Sequence, residues 1–186
     1  MKTNTKKLTL SAFFLALGLV LPMVTGQIPR IGNLLLPMHL PVFLCGLICG
    51  GPWGMAVGLV TPLLRSVMFG MPPLFPTAVS MSCELAVYGL VCGVIYARAP
   101  RRGTAAVYAA LLPAMLAGRA VWGCVQAVLL GMSGSALTLQ MFWASAFLNA
   151  IPGIVLQLVL IPAVMAALNR TGVVQYRQRA CRHRMG

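Results

Sequence analysis

Three ionisable side chains, Arg65, Glu84 and Arg119, stand within long apolar runs of this 186-residue chain. At the centre of a membrane helix such a side chain costs about 2.5–3.5 kcal/mol on insertion scales. Left unpaired, the three would cost about 8–10 kcal/mol, comparable to the whole stability of a small domain. They must therefore pair, face a polar interior or meet a ligand. Glu84 is the only acid in the chain. A Glu84–Arg119 salt bridge that merely fixes helix packing explains that pair but leaves Arg65 uncompensated. One acid against two arginines leaves a surplus positive charge, which a small anion such as a carboxylate can neutralise.

The neighbours of these residues suggest a lined cavity. Ser80, Glu84 and Tyr88 recur at i, i+4 and i+8 and so share a helix face. Arg119, Trp122 and Gln126 follow i, i+3, i+7, and Ser145, Asn149 and Pro152 follow i, i+4, i+7. In lipid a polar stripe on an apolar helix belongs inside the bundle. His39 opens its own apolar run; it reads either as an interfacial histidine or as a residue closing the cavity. Counting 1.5 Å per residue from the outer helix ends puts Arg65 about 7 Å, Glu84 about 10 Å and Arg119 about 17 Å deep. All three can border one cavity open to the outside.

Other chemistries find few residues. With two histidines and one acid, the chain assembles no Ser-His-Asp triad, carboxylate pair or two-metal site, so no enzyme activity is expected. Cys45 and Cys49 are i, i+4 neighbours but lack histidine or acid partners at that depth, so no metal is expected. The six cysteines lie mostly in apolar runs and read as small buried hydrophobes, not a disulfide framework. The twelve methionines form no ladder along one helix face and read as gap-fillers. No cofactor is implied.

The elements that must position these side chains follow from composition. Hydrophobic residues make up 60% of the chain, charged residues only 8%, and the mean hydropathy is +0.91. A soluble domain carries about 25% charged residues, so this is an integral membrane protein. The apolar stretches are continuous and do not alternate, which disfavours a transmembrane barrel. Six runs appear, at about Leu8–Val24, Pro37–Cys49, Trp53–Phe69, Thr77–Ala97, Thr104–Leu130 and Leu139–Leu168. The first run, preceded by Lys2, Lys6 and Lys7, resembles a signal peptide; its length and the apolar chain that follows favour a retained span. The expectation is an all-α polytopic protein with six transmembrane helices in one bundle, a single domain over 1–169 and a basic tail over 170–186.

The net charge of +13 has a topological explanation. Lys2, Lys6, Lys7, Arg98, Arg101, Arg102, Arg170, Arg177, Arg179, Arg182 and Arg184 fall on one side of a six-span arrangement, and only Arg30 on the other. The positive-inside rule then makes both termini cytoplasmic. No basic face with interleaved aromatics suggests nucleic acid. Gly50, Gly54 and Gly58, and Gly89 and Gly93, form small-xxx-small series that let helices approach closely.

Two local patterns, together with size and topology, carry a resemblance. Ser11-Ala-Phe-Phe-Leu-Ala-Leu-Gly18 contains an Ala-xxx-Ala pair, Ala12 and Ala16, and Gly51-Pro52-Trp53-Gly54 is a Gly-Pro-x-Gly turn entering the third run. Over nearly its whole length the chain resembles the substrate-binding S components of energy-coupling factor (ECF) vitamin transporters. That resemblance implies a multi-pass plasma-membrane subunit of an ABC-type transporter that captures a vitamin or related micronutrient from outside. It implies docking through Ala12 and Ala16 on a transmembrane coupling subunit driven by two cytoplasmic ATPases. It also implies substrate contacts from Glu84, Tyr88, Arg119, Trp122, Gln126 and Asn149, with Arg65 and His39 near the rim, and loops 27–36 and 70–76 acting as lids. The arginine surplus favours a monoanion such as pantothenate. Flavin, folate-like dianions, queuosine precursors and pyridoxine are alternatives among relatives. An intramembrane enzyme relying on Glu84, or a purely structural assembly subunit, is the reading from outside that family.

Overall fold

A computed structural model describes residues 2–25, 37–100, 103–132 and 151–170. Its six α-helices among the described residues are α1 (Lys2–Thr25), α2 (His39–Cys49), α3 (Gly51–Phe69), α4 (Val79–Arg98), α5 (Thr104–Met132) and α6 (Ile151–Arg170). Among the described residues four stretches are long and apolar enough to cross a membrane: Asn4–Met23, Leu74–Arg98, Thr104–Met132 and Ile151–Arg170. Among the described residues the fold is all-helical, as expected. Residues 139–150 of the sixth run and 171–186 of the tail lie outside the described residues.

Local chemistry sets the helix ends. Pro37 and Met38 form a turn, so α2 starts at His39. Pro52 sits in the first turn of α3, where a missing N–H leaves no bond unmade. α3 stops at Gly70, whose φ of 69° is left-handed and whose N–H donates to the Ser66 carbonyl at 2.9 Å. The proline-dense segment after it makes a wide turn over Leu74–Ala78, interrupted by extended Phe75, before α4 begins two residues later than expected. Where Pro62 interrupts the bonding of α3, the neighbouring Thr61 hydroxyl donates to the Val57 carbonyl at 2.6 Å.

α4 is the centre of the bundle, packed against α2, α3 and α5; α1 covers α2 and α3, and α6 rests on α5 and α2. At only eleven residues, about 16 Å long, α2 is enclosed by the others, and every residue in it except Ile48 is buried. Glycines bring α2, α3 and α4 into backbone contact. A Cβ on Gly46 would lie 2.6 Å from the Gly89 carbonyl oxygen, and one on Gly54 2.7 Å from Gly46 Cα. A Cβ on Gly93 would lie 2.6 Å from the Gly46 oxygen, and one on Gly89 would run into the Gly54 backbone. Gly50 plays a different part from the one its spacing suggests. It makes no such contact, and its φ of 103° turns the corner between α2 and α3, while Gly46 of α2 and Gly51 of α3 do the packing.

Candidate functional site

Glu84, on the α4 face that meets α2 and α5, is 1% exposed. One turn on, the Tyr88 hydroxyl donates to Glu84 Oε1 at 2.6 Å. Arg119 of α5 brings Nη1 to 3.2 Å from the same oxygen, and His39 of α2 brings Nε2 to 4.0 Å. Three helices thus converge on one carboxylate. Bringing Glu84 and Arg119 together removes the cost of two isolated charges, though a buried pair by itself adds little stability. The Tyr88 ring stacks on Phe43 with centroids 4.9 Å apart and lies 5.5 Å from the His39 ring. Gly118, next to Arg119, lets the Tyr88 ring lie directly against the α5 backbone; a side-chain carbon there would overlap it.

Other expected site residues are placed differently. Ser80 is fully buried, but its hydroxyl donates to the Thr77 carbonyl at 2.9 Å and braces the start of α4. His39, expected near the rim, is 1% exposed and packed within the cluster. Arg65 does not join Glu84. Its Nη1 donates to the Leu19 carbonyl of α1 at 3.2 Å, and its guanidinium lies 5.9 Å from the centroid of the Phe69 ring, one turn along its own helix. A backbone carbonyl and an aromatic ring therefore meet this charge without a ligand. Trp122 and Gln126 are half-buried on α5, and Gln126 Oε1 is a buried acceptor with no hydrogen-bond partner among the described residues. Asn149, Ser145 and residues 27–36 lie outside the described residues; Pro152 is exposed.

Two further features escaped the sequence. Gln157 on α6 is 2% exposed, and its Nε2 has no hydrogen-bond partner among the described residues. It belongs to a buried stripe, Gly153, Gln157, Ile161 and Met165, whose four-residue spacing was the available signal. Arg119 also has a buried atom, its Nε, without a partner among the described residues. Ala12 and Ala16 of α1 are exposed, flanked by exposed Leu8, Phe13 and Val20, while Ser11, Phe14 and Gly18 turn inward.

A buried ion pair ringed by aromatics inside an all-helical apolar bundle suits selective binding of a small molecule. No curated protein matches the chain. Residues 6–165, from α1 into α6, match the family described as ECF transporter, substrate-specific component. That match covers most of the chain, and the long apolar helices agree with a multi-pass plasma-membrane protein. The chain therefore belongs to the ECF transporter substrate-specific components, a transporter family and not an enzyme family, whose members work with the ECF coupling and ATPase modules on a small-molecule substrate.

Proposed function

We propose that this chain captures a vitamin-like monoanion, pantothenate or a close analogue, from outside the cell. The Glu84–Arg119–Tyr88–His39 cluster is its binding centre. The observation that carries this reading is Arg119, 8% exposed, held by Glu84 through Nη1 while its Nε has no partner. A substrate carboxylate meets that donor and shares the guanidinium with Glu84. Because Arg65 is engaged by α1 and Phe69, the case for an anion rests on Arg119 and no longer on a surplus of two arginines. The aromatic wall of Tyr88 and Phe43, with Trp122 half-buried beyond Arg119, favours a flavin as the second reading. In this proposal six spans with both termini cytoplasmic form one bundle, supported by the one-sided distribution of lysine and arginine.

Mass spectrometry of the small molecule that co-purifies with the protein tests the substrate. Pantothenate is the expected species; riboflavin in its place would replace the first reading with the second. No bound molecule, together with uptake that survives Arg119→Ala, would point to an assembly subunit instead.

Delivery is proposed to run through a transmembrane coupling subunit and two ATPases, docked on the exposed α1 face around Ala12 and Ala16. Small side chains there leave room for a partner helix. Replacing Ala12 or Ala16 with Trp is expected to abolish uptake while substrate binding by the purified subunit is unchanged. Uptake at the wild-type rate from either variant would move the docking face elsewhere.

A further inference from the structure

The geometry points to Gln157 as a substrate-contacting residue that recognises a carbonyl or carboxylate oxygen beside Arg119; this rests on the small-molecule capture proposed above. Its side chain is 2% exposed with Nε2 unpartnered. A buried amide left unsatisfied is costly, and buried polar groups nearly always find partners. The stripe that carries it, Gly153–Gln157–Ile161–Met165, is the buried face of α6, and α6 packs on α5 and α2, the helices that bear Arg119 and His39.

The depths agree. α4 ends at Arg98, α5 begins at Thr104 and α6 ends at Arg170. In the six-span arrangement proposed above these three ends lie on the same side of the bundle. Glu84 is 14 residues from its end, Arg119 is 15 and Gln157 is 13. At 1.5 Å per residue the three lie about 21, 22 and 20 Å from that side. Gln157 is thus level with the ion pair, on a helix that packs against the helix of Arg119.

The unpartnered atoms also specify what fits. Arg119 Nε and Gln157 Nε2 are donors, and Gln126 Oε1, two turns outward on α5, is an acceptor. Their complement is a small molecule with two oxygen acceptors, at least one anionic, and one N–H or O–H donor. Acids that also carry an amide or hydroxyl have this pattern, whereas a simple fatty acid does not.

The test compares the full-length wild-type chain with Gln157→Leu and Gln157→Asn, each purified from cells grown in rich medium. Native mass spectrometry reads the retained small molecule, and thermal unfolding is followed after its removal. Gln157→Leu is expected to unfold a few degrees higher when empty, because an unsatisfied amide has been removed. Its retained adduct is expected to fall at least tenfold, and Gln157→Asn, shorter by one methylene, should fall as well. Wild-type adduct levels in both variants would overturn the assignment, leaving the amide as a packing flaw. Added pantothenate should displace the wild-type adduct. Failure to displace it, with the adduct still lost in Gln157→Leu, would sink the pantothenate reading but keep Gln157 in the site. A wild-type protein with no adduct and no heat stabilisation by pantothenate would overturn both.

Discussion

Arg119→Met is expected to lose both the fold's stability and substrate capture, and a second substitution should separate the two losses. With the guanidinium gone, Glu84 is left buried at 1% exposure with Tyr88 as its remaining close donor. Removing one partner of a buried pair costs about 3–5 kcal/mol, because an uncompensated charge remains. The double variant Arg119→Met with Glu84→Gln removes both charges, and Tyr88 can still donate to the amide oxygen. Replacing a buried pair by neutral groups of similar size is close to neutral, so thermal unfolding in detergent should return most of the way to wild type. Uptake should stay absent, since the proposed substrate contact of Arg119 is gone. Restored uptake in the double variant would show that the pair serves helix packing alone.

The second large effect concerns Gly89. Its missing side chain is where α3 lies, and any Cβ would run into the Gly54 backbone. Backbone cannot rotate aside as a flexible side chain can, so α3 and α4 would have to separate. Over-packing a core usually costs about 1–3 kcal/mol, and Gly89→Val should exceed that range and yield no monodisperse protein in detergent. Gly131 gives the opposite sign. It stands in α5 with open space where a Cβ would go, and alanine is favoured over glycine in a helix by about 1 kcal/mol. Gly131→Ala should therefore unfold at the wild-type temperature or above. Equal behaviour of the two variants would contradict the close approach at Gly89.

The sequence reported which residues were out of place in lipid better than which of them would meet. Apolar runs and their breakers placed the described ends of α2 to α5 to within about two residues, because length and proline or glycine punctuation are local properties, whereas α1 begins six residues before its expected start. The pairing of Glu84 with Arg119 was legible too, since a lone acid in such a chain has few partners. Arg65 was not. It lies seven residues after Gly58 and shares that helical face, so phase alone could not say whether α1 or α4 would meet it. The course of α1 decided that, through the Leu19 carbonyl. His39 reads two ways for a related reason: a histidine at a helix start can be interfacial or close a cavity, and because α2 is short and enclosed even its first residue is buried. Gln157 gives no comparable signal, because a single glutamine in an apolar run carries no charge. Only the pairing of α6 with α5 shows how deep it lies.

The glycine contacts among α2, α3 and α4 also limit how a bound molecule can leave. Parting two helices to open an inward exit requires a seam along which they can slide, and side chains supply such seams by changing rotamer. Where main chain touches main chain, a displacement of an ångström either opens a void or forces an overlap. Those three helices should therefore travel as one rigid slab, and release toward the cytoplasm falls to motion of α1, α5 or α6 against it, or to reorientation of the whole subunit.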